Sequence, residues 1–199
     1  MKKLTLATLS TLALTLTCSS VFAVDGTITV NGVVTDGTCT LQKGGGVITG
    51  LKNLTVSLPT LPKSTFTPTN PIPIVRYGIN MFLTNATGTA NCDAATTQAF
   101  KGIHLSVSSP NDDLDGTDKT FLVNKLTNAP NINPVFIRIY TDRSDVVDIS
   151  APWGKQAKSP IRTFRDQIYL QYFVGLASKS GVVDAQNVQA VVNYTLMYN

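Results

Sequence analysis

The chain ends with the sequence NVQAVVNYTLMYN, residues 187–199, in which almost every second residue is apolar. Strand side chains point alternately to the two faces of a sheet, so this pattern predicts a β-strand with one apolar face. The predicted face consists of Val188, Ala190, Val192, Tyr194, Leu196 and Tyr198, with Asn199 as the last residue. A strand of this kind needs a partner that covers its apolar side.

A second alternating stretch lies near the other end of the chain. Its shared face consists of Gly26, Ile28, Val30, Gly32 and Val34. Three bulky side chains and two glycines suit a groove with pockets of unequal depth, and each buried aliphatic side chain contributes about 1.5–3 kcal/mol. Addition of such a strand to a sheet edge is a known binding mode. Two arrangements stay open: insertion into a neighbouring subunit, or ordinary pairing within the same domain.

Residues 1–23 are predicted to be a secretory signal peptide. Lys2 and Lys3 form a basic start, an apolar run follows, and Val21-Phe22-Ala23 provides the small residues of a cleavage site. An alternative is a lipid anchor on Cys18, although Thr17 is a poor residue for that signal. The signal peptide predicts export from a bacterial cell.

Two cysteines, Cys39 and Cys92, remain after removal of the signal peptide. An even pair in an exported chain predicts a disulfide. The alternative is two unrelated buried thiols. A loop of some fifty residues gives a disulfide a stabilising effect of about 4 kcal/mol in the chain-entropy model.

The remaining sequence consists of short apolar runs separated by turn residues, which is typical of an all-β sandwich. We expect an N-terminal extension over residues 24–37 and one domain over residues 38–199. The proline-rich segment Pro59–Pro73 is interpreted as a long surface loop or an irregular sheet edge, since proline cannot donate to a ladder. The predicted strands are Val47–Leu51, Leu54–Leu58, Ile72–Leu83, Ile103–Val107, Phe121–Leu126, Val135–Tyr140, Phe164–Val174 and the C-terminal strand.

The sequence does not favour an enzyme. His104 is the chain's one histidine, and strand alternation places it on a solvent-facing side with Ser106. No Gly-x-Ser-x-Gly turn is present to expose a serine nucleophile.

Metal and nucleic-acid sites are also not expected. The acidic stretch Asn111–Gly116 begins like a calcium loop, but Leu122 stands where the loop needs glutamate, so a hairpin turn is the preferred interpretation. Two paired cysteines and one histidine do not make a zinc site. The basic cluster around Arg162 and Arg165, with Lys155 and Lys158 nearby, is interpreted as a solvated loop. We therefore expect no cofactor and no nucleic-acid partner.

Both ends of the chain resemble the chaperone–usher pilins of type 1 and P pili. In that family an alternating apolar strand with a central glycine precedes the first disulfide cysteine, as Val30, Gly32, Val34 and Cys39 do here. The family's penultimate tyrosine is matched by Tyr198. Two departures concern the wide spacing of the cysteines and Gln186, which stands where the family often has glycine.

The resemblance implies an incomplete immunoglobulin-like β-sandwich that lacks its final strand and is completed by donor-strand complementation. It further implies a periplasmic chaperone that contacts the C-terminal strand and anchors the carboxylate of Asn199, and an outer-membrane usher at which Gly26–Val34 of the next subunit displaces the chaperone. A side chain at Gly32 should then clash in the groove. The product would be a head-to-tail homopolymer, an adhesive fimbria on the cell surface.

Other functions with the same sequence features stay open. A minor adaptor or tip pilin is one alternative to the major subunit. A secreted carbohydrate-binding β-sandwich is another, with Trp153, Tyr140 and Tyr169 as its recognition residues, although packing of a loop onto the sandwich is the preferred interpretation of Trp153.

Overall fold

Two antiparallel β-sheets enclose an apolar core in the computed structural model, which describes residues 39–44 and 53–198. All these residues belong to one compact unit, residues 32–199. The predicted signal peptide, N-terminal extension and Val47–Leu51 strand, and Asn199, lie outside the described residues. Within the described ranges, no helix is long and apolar enough to cross a membrane.

The strands and helices of the described residues are short. The strands are β1 Thr40–Lys43, β2 Tyr77–Thr84, β3 Phe100–Ser106, β4 Phe136–Thr141, β5 Arg162–Phe164, β6 Gln167–Ala177 and β7 Asn193–Tyr198. The helices are α1 Ala94–Ala99, α2 Pro110–Asp113 and a 3-10 turn at Lys63–Thr65.

The two sheets differ in size. The larger sheet has the order β1-β2-β6-β4, with β5 also paired to β6, and the smaller sheet consists of β3 and β7. Buried side chains from both sheets meet in one cluster. Its most deeply buried large members are Leu41, Leu83, Ile103, Leu114, Leu122, Leu170 and Tyr172. This two-layer arrangement confirms the all-β sandwich that the sequence predicts.

The predicted strand Phe164–Val174 is interrupted at its start by a hairpin turn. Arg165 and Asp166 both have positive φ, at 47° and 63°, which is the backbone of a two-residue turn whose twist matches the flanking strands. The Asp166 carbonyl accepts a hydrogen bond of 3.2 Å from the Asn91 side-chain amide. Neither turn residue is glycine or asparagine, so the sequence carried little signal for this turn.

Other predicted strands are shorter in the structure or have no ladder. Residues 121–126 form isolated bridges, such as Leu122 to Ile137, rather than a strand. The C-terminal strand has a ladder only over Asn193–Tyr198, although an extended chain precedes it. The acidic stretch after Ser109 begins as the short helix α2. The chain then turns back, as in the predicted hairpin, so that Leu114 forms an antiparallel bridge with Leu122.

The proline-rich segment Pro59–Pro73 is packed onto the sandwich. Phe66 is buried against Val135 and Val183. Gly181, with φ +78°, lies so close to the backbone of Thr67 that a Cβ would overlap it. The segment is therefore packed against the domain. The sequence predicted a surface loop or an irregular edge and did not predict these packing contacts.

The predicted disulfide between Cys39 and Cys92 is present, with the Cα atoms 5.6 Å apart and the two cysteines 53 positions apart in sequence. It connects the start of β1 to the segment before α1, where the Asp93 carboxylate caps the helix by accepting from Thr96 N–H at 2.9 Å. The crosslink thus ties the first strand of the larger sheet to the approach to β3.

We expect Cys39→Ser to lower the free energy of unfolding by about 4 kcal/mol, because the unfolded chain gains the freedom of the opened loop. Urea unfolding of the purified mature chain measures this loss. Cys92→Ser and the double variant are the controls, and all three should lose the same amount because one bridge is removed in each. An unchanged free energy would contradict a stabilising crosslink.

Candidate functional site

A long apolar groove of about 1320 Å³ exposes part of the core. Its lining includes two extended segments, residues 53–61 and 183–196, together with core side chains from both sheets. The core side chains are Ile79, Met81, Ile103, Leu105, Ile137, Ile139, Tyr172, Val174 and Leu176. The groove is larger than the roughly 300–1,000 Å³ of small-molecule pockets, and its extended walls suit a polypeptide segment.

The C-terminal wall carries alternating side chains into the groove. Five residues are half-buried, pack against the core and line the groove: Val188, Ala190, Val192, Tyr194 and Leu196. The residues between them are exposed, and Val191 keeps 66% of its surface. The structure thus brings together most of the C-terminal residues that the sequence singled out.

Tyr198 has a different position. Its side chain is 36% exposed, it does not line the groove, and its ring lies 5.8 Å from that of Phe100. It pairs with Phe100 at the far end of the β3–β7 ladder. Tyr198 therefore extends the predicted face beyond the groove itself.

The opposite wall was not identified from the sequence as part of a site. Leu54, Val56 and Leu58 are half-buried and alternate with exposed Asn53, Thr55 and Ser57. Leu54 and Leu58 pack against the core cluster. The run predicted as a strand at Leu54–Leu58 is extended, and its apolar face lines the groove.

The edge of the smaller sheet lies at this groove. In the part of the chain that the structure describes, β7 shares a ladder with β3 and with no other strand. A β-strand has two hydrogen-bonding edges, and an edge without a neighbour is a template for another strand. The groove therefore combines apolar pockets with a strand edge that can accept a ladder.

A buried side-chain amide holds the segment that leads into β7. Asn124, 8% exposed, donates to the carbonyl of Asn187 at 2.7 Å and to Oε1 of Gln186 at 3.1 Å. Its Oδ1 accepts from the backbone N–H groups of Gln189 at 3.0 Å and Leu126 at 3.2 Å. The Asn124 side chain thus makes hydrogen bonds to the backbone before β7 that a neighbouring strand would otherwise make.

Gln186 extends this amide network to the next loop. Its Oε1 also accepts from Val135 N–H at 3.3 Å, and its Nε2 donates to the carbonyls of Asp184 at 3.2 Å and Asn133 at 3.4 Å. Gln186 therefore links the segment before β7 to the loop that precedes β4.

Charged groups support the wall from outside the groove. Lys125 N–H donates to the Gln189 carbonyl at 2.9 Å, and its ammonium lies 2.8 Å from the Asp113 carboxylate. The hydrogen bond from Lys125, with a second one from Ser109 N–H, holds the pKa of Asp113 below its ordinary value. The pair is partly exposed, so its contribution to stability is small.

Among the described residues, the side chains of His104 and Tyr172 both contact the backbone. His104 does not line the groove: the ring is half-buried, with Nε2 3.0 Å from the Ala151 carbonyl, which corrects the predicted solvent-facing position. Burial raises the pKa of the Tyr172 hydroxyl, which accepts from Ser159 N–H at 3.2 Å. Both groups are engaged with the backbone.

The tyrosines considered for sugar binding, and one cluster of potential metal ligands, have structural roles. Within the described residues, the one crowded group of metal-ligating side chains is Cys39, Cys92 and Asp93, and its sulfur atoms form the disulfide. Tyr140 is 2% exposed, and Tyr169 stacks on Phe82 at 5.5 Å between ring centroids. A buried Tyr140 argues against a sugar platform that includes it.

The donor residues predicted from the sequence, Gly26, Ile28, Val30, Gly32 and Val34, lie outside the described residues. The amide network was missed by sequence reasoning. The available signal was an asparagine next to the apolar residues Phe121–Val123 in a predicted strand, which is unusual for a side chain facing a core.

No family model matches the sequence, and no curated protein matches it either. Among solved structures, the chain is similar to the P pilus rod subunit PapA, with a TM-score of 0.54 and 17% sequence identity. The match covers 87% of this chain and 100% of PapA. The chain therefore has a pilin-like β-sandwich fold.

We expect Asn124→Ala to destabilise the domain by about 2–4 kcal/mol, because it removes a buried amide and leaves partly buried backbone groups at Leu126, Asn187 and Gln189 without that partner. It should also speed amide exchange at Gln189. Urea unfolding and hydrogen exchange measure the two effects.

The matched control is Asn193→Ala, which removes one exposed hydrogen bond to the Ser108 hydroxyl, 3.1 Å long. This variant should change the free energy of unfolding by less than about 0.5 kcal/mol. Equal effects from the two substitutions would show that the buried network does not hold the wall.

Proposed function

We propose that this chain is a structural subunit of a chaperone–usher pilus and polymerises by donor-strand exchange. The observation that carries the proposal is the groove, which lies at the open edge of β7 in a pilin-like fold. A fold of this kind is completed by one added strand, and the chain contains a segment with the required pattern.

The donor segment and the groove wall match in length. Five alternate residues from Gly26 to Val34 correspond to five alternate residues from Val188 to Leu196. Each segment has nine residues and spans roughly 26 Å at about 3.3 Å per residue. A donor strand could therefore run along the whole wall without a gap or an overhang.

The interactions that would stabilise the exchanged strand can be read from the donor segment and the groove. Ile28, Val30 and Val34 would enter apolar pockets, each burial contributing about 1.5–3 kcal/mol, while main-chain bonds form to the β7 edge. Gly26 and Gly32 would pass over shallow parts of the groove. The half-buried side chains of both walls would become buried in the same step.

The assembly would proceed outside the cytoplasm. A periplasmic chaperone fills the groove first, and at an outer-membrane usher the donor segment of the next subunit replaces it. Because donor and acceptor are different surfaces, the contact is head-to-tail and builds a filament rather than a closed dimer. The product is an extracellular fimbria that supports adhesion, and the subunit's role is structural rather than enzymatic.

Two substitutions separate the donor from the acceptor. Gly32→Leu should block the donor because the added side chain clashes in the groove. Ala190→Phe should block the acceptor because the ring fills the groove from its wall. Each purified variant should stay monomeric on unboiled denaturing gels, whereas the unsubstituted mature chain should form a ladder that collapses on boiling.

Mixing the two variants gives the sharper result. The intact donor of Ala190→Phe should enter the intact groove of Gly32→Leu, so the mixture should form a heterodimer and nothing longer. The controls Val33→Leu, on the other face of the donor, and Val191→Phe, on the exposed face of the wall, should polymerise normally. Polymers from either single variant would contradict the proposal.

A further inference from the structure

The smaller sheet has a second edge, on β3, and a side chain covers it. Gln156, 3% exposed, accepts from Leu105 N–H at 2.8 Å and donates to the Leu105 carbonyl at 2.9 Å. Its Nε2 also donates to the Asp148 carbonyl at 2.9 Å. A primary amide thus makes both bonds that a neighbouring strand would make with Leu105.

These bonds point away from β7. Leu105 is opposite Tyr194 in the antiparallel ladder, and His104 is opposite Thr195. In such a ladder, alternate pairs direct their N–H and C=O groups outward, and since both groups of Leu105 reach Gln156, Leu105 belongs to an outward-directed pair. Gln156 therefore occupies the edge at which another strand would pair.

The loop that carries Gln156 is fixed at several points. Trp153 packs over Gly102, where a Cβ would lie 3.3 Å from the ring, and the Lys158 ammonium lies 4.0 Å from the centre of the same ring. The Ala151 carbonyl contacts Nε2 of His104 at 3.0 Å. Ser159 donates from its hydroxyl to the Gln171 carbonyl at 2.5 Å. The loop is thus held against β3 from one end and against the larger sheet from the other.

We propose that Gln156 closes the β3 edge to strand addition and thereby restricts the donor strand to the β7 edge. The inference rests on the proposed function, because it assigns a specificity-determining residue to that exchange. The excluded partner is the apolar donor segment of a second copy of this chain. Among the described residues, the β7 edge at the groove has no second neighbouring strand, whereas the β3 edge is occupied by the Gln156 amide.

The test uses the mature chain with Ala190→Phe, in which the groove is blocked. Gln156→Leu in this background keeps a similar side-chain volume but frees both backbone groups of Leu105. We expect it to associate through the β3 edge, raising the weight-average mass in light scattering by at least about twofold, since each copy still carries a donor segment.

The matched control is Gln171→Leu in the same background, which removes a side-chain bond of 2.9 Å to Asn80 on the larger sheet. It should stay monomeric. Near-ultraviolet circular dichroism shows whether each variant keeps its fold. If Ala190→Phe alone polymerises, the proposed function fails. If Ala190→Phe is monomeric and the folded Gln156→Leu variant is too, the inference on Gln156 fails.

Amide exchange on the unsubstituted chain tests the inference without any variant. Leu105 N–H should exchange as slowly as His104 N–H, which faces β7, although its acceptor is a side chain. In Gln156→Leu its exchange should become at least about tenfold faster. Exchange of Leu105 in the unsubstituted chain at the rate of an exposed loop amide would overturn the assignment.

Discussion

The backbone of the smaller sheet imposes the main constraint on this structure. Buried N–H and C=O groups must be hydrogen-bonded. In a sheet of two strands, each strand has one edge that the other strand does not cover. The structure gives β3 a side-chain amide from Gln156 on its outer edge. It gives β7 no second ladder within the described residues. In the proposed strand exchange, the difference between these two edges decides where a partner strand binds.

In two separate places, side-chain amides make backbone hydrogen bonds that a neighbouring strand would otherwise make. Gln156 satisfies Leu105 on β3, and Asn124 satisfies Asn187 and Gln189 on the wall before β7. An amide side chain presents the same donor and acceptor as a peptide group, but it covers one residue and not a whole strand. The wall can therefore stay extended and open toward the groove while its backbone is held in place.

The sequence predicted the features that depend on local periodicity. The alternation from Val188 to Leu196 predicted an apolar face, and in the structure these side chains line the groove. The cysteine pair correctly identified the disulfide. Both follow from residue type and spacing alone. The position at which β7 begins, Asn193, could not be predicted from the alternation. Periodicity describes the side chains, whereas a ladder depends on a partner strand.

The features that the sequence missed depend on long-range contacts. Gln156 and Leu105 are 51 residues apart, and Asn124 and Asn187 are 63 apart. Nothing local distinguishes such amides from surface residues, except that Asn124 directly follows the apolar residues Phe121–Val123. His104 was misplaced for the same reason, because the loop around Ala151 that covers it comes 47 residues later.

The closed edge also bears on the form of the proposed polymer. A subunit with one donor segment and one acceptor edge forms two contacts, so its chains are linear. A second acceptor edge on β3 would permit a third contact, and three contacts per subunit produce branches and sheets of subunits. The proposed donor segment has the alternating pattern of a strand, and any exposed strand edge offers unpaired main-chain groups. The segment could therefore pair with such an edge. A filament of such subunits therefore needs the second edge closed as much as it needs the first edge open.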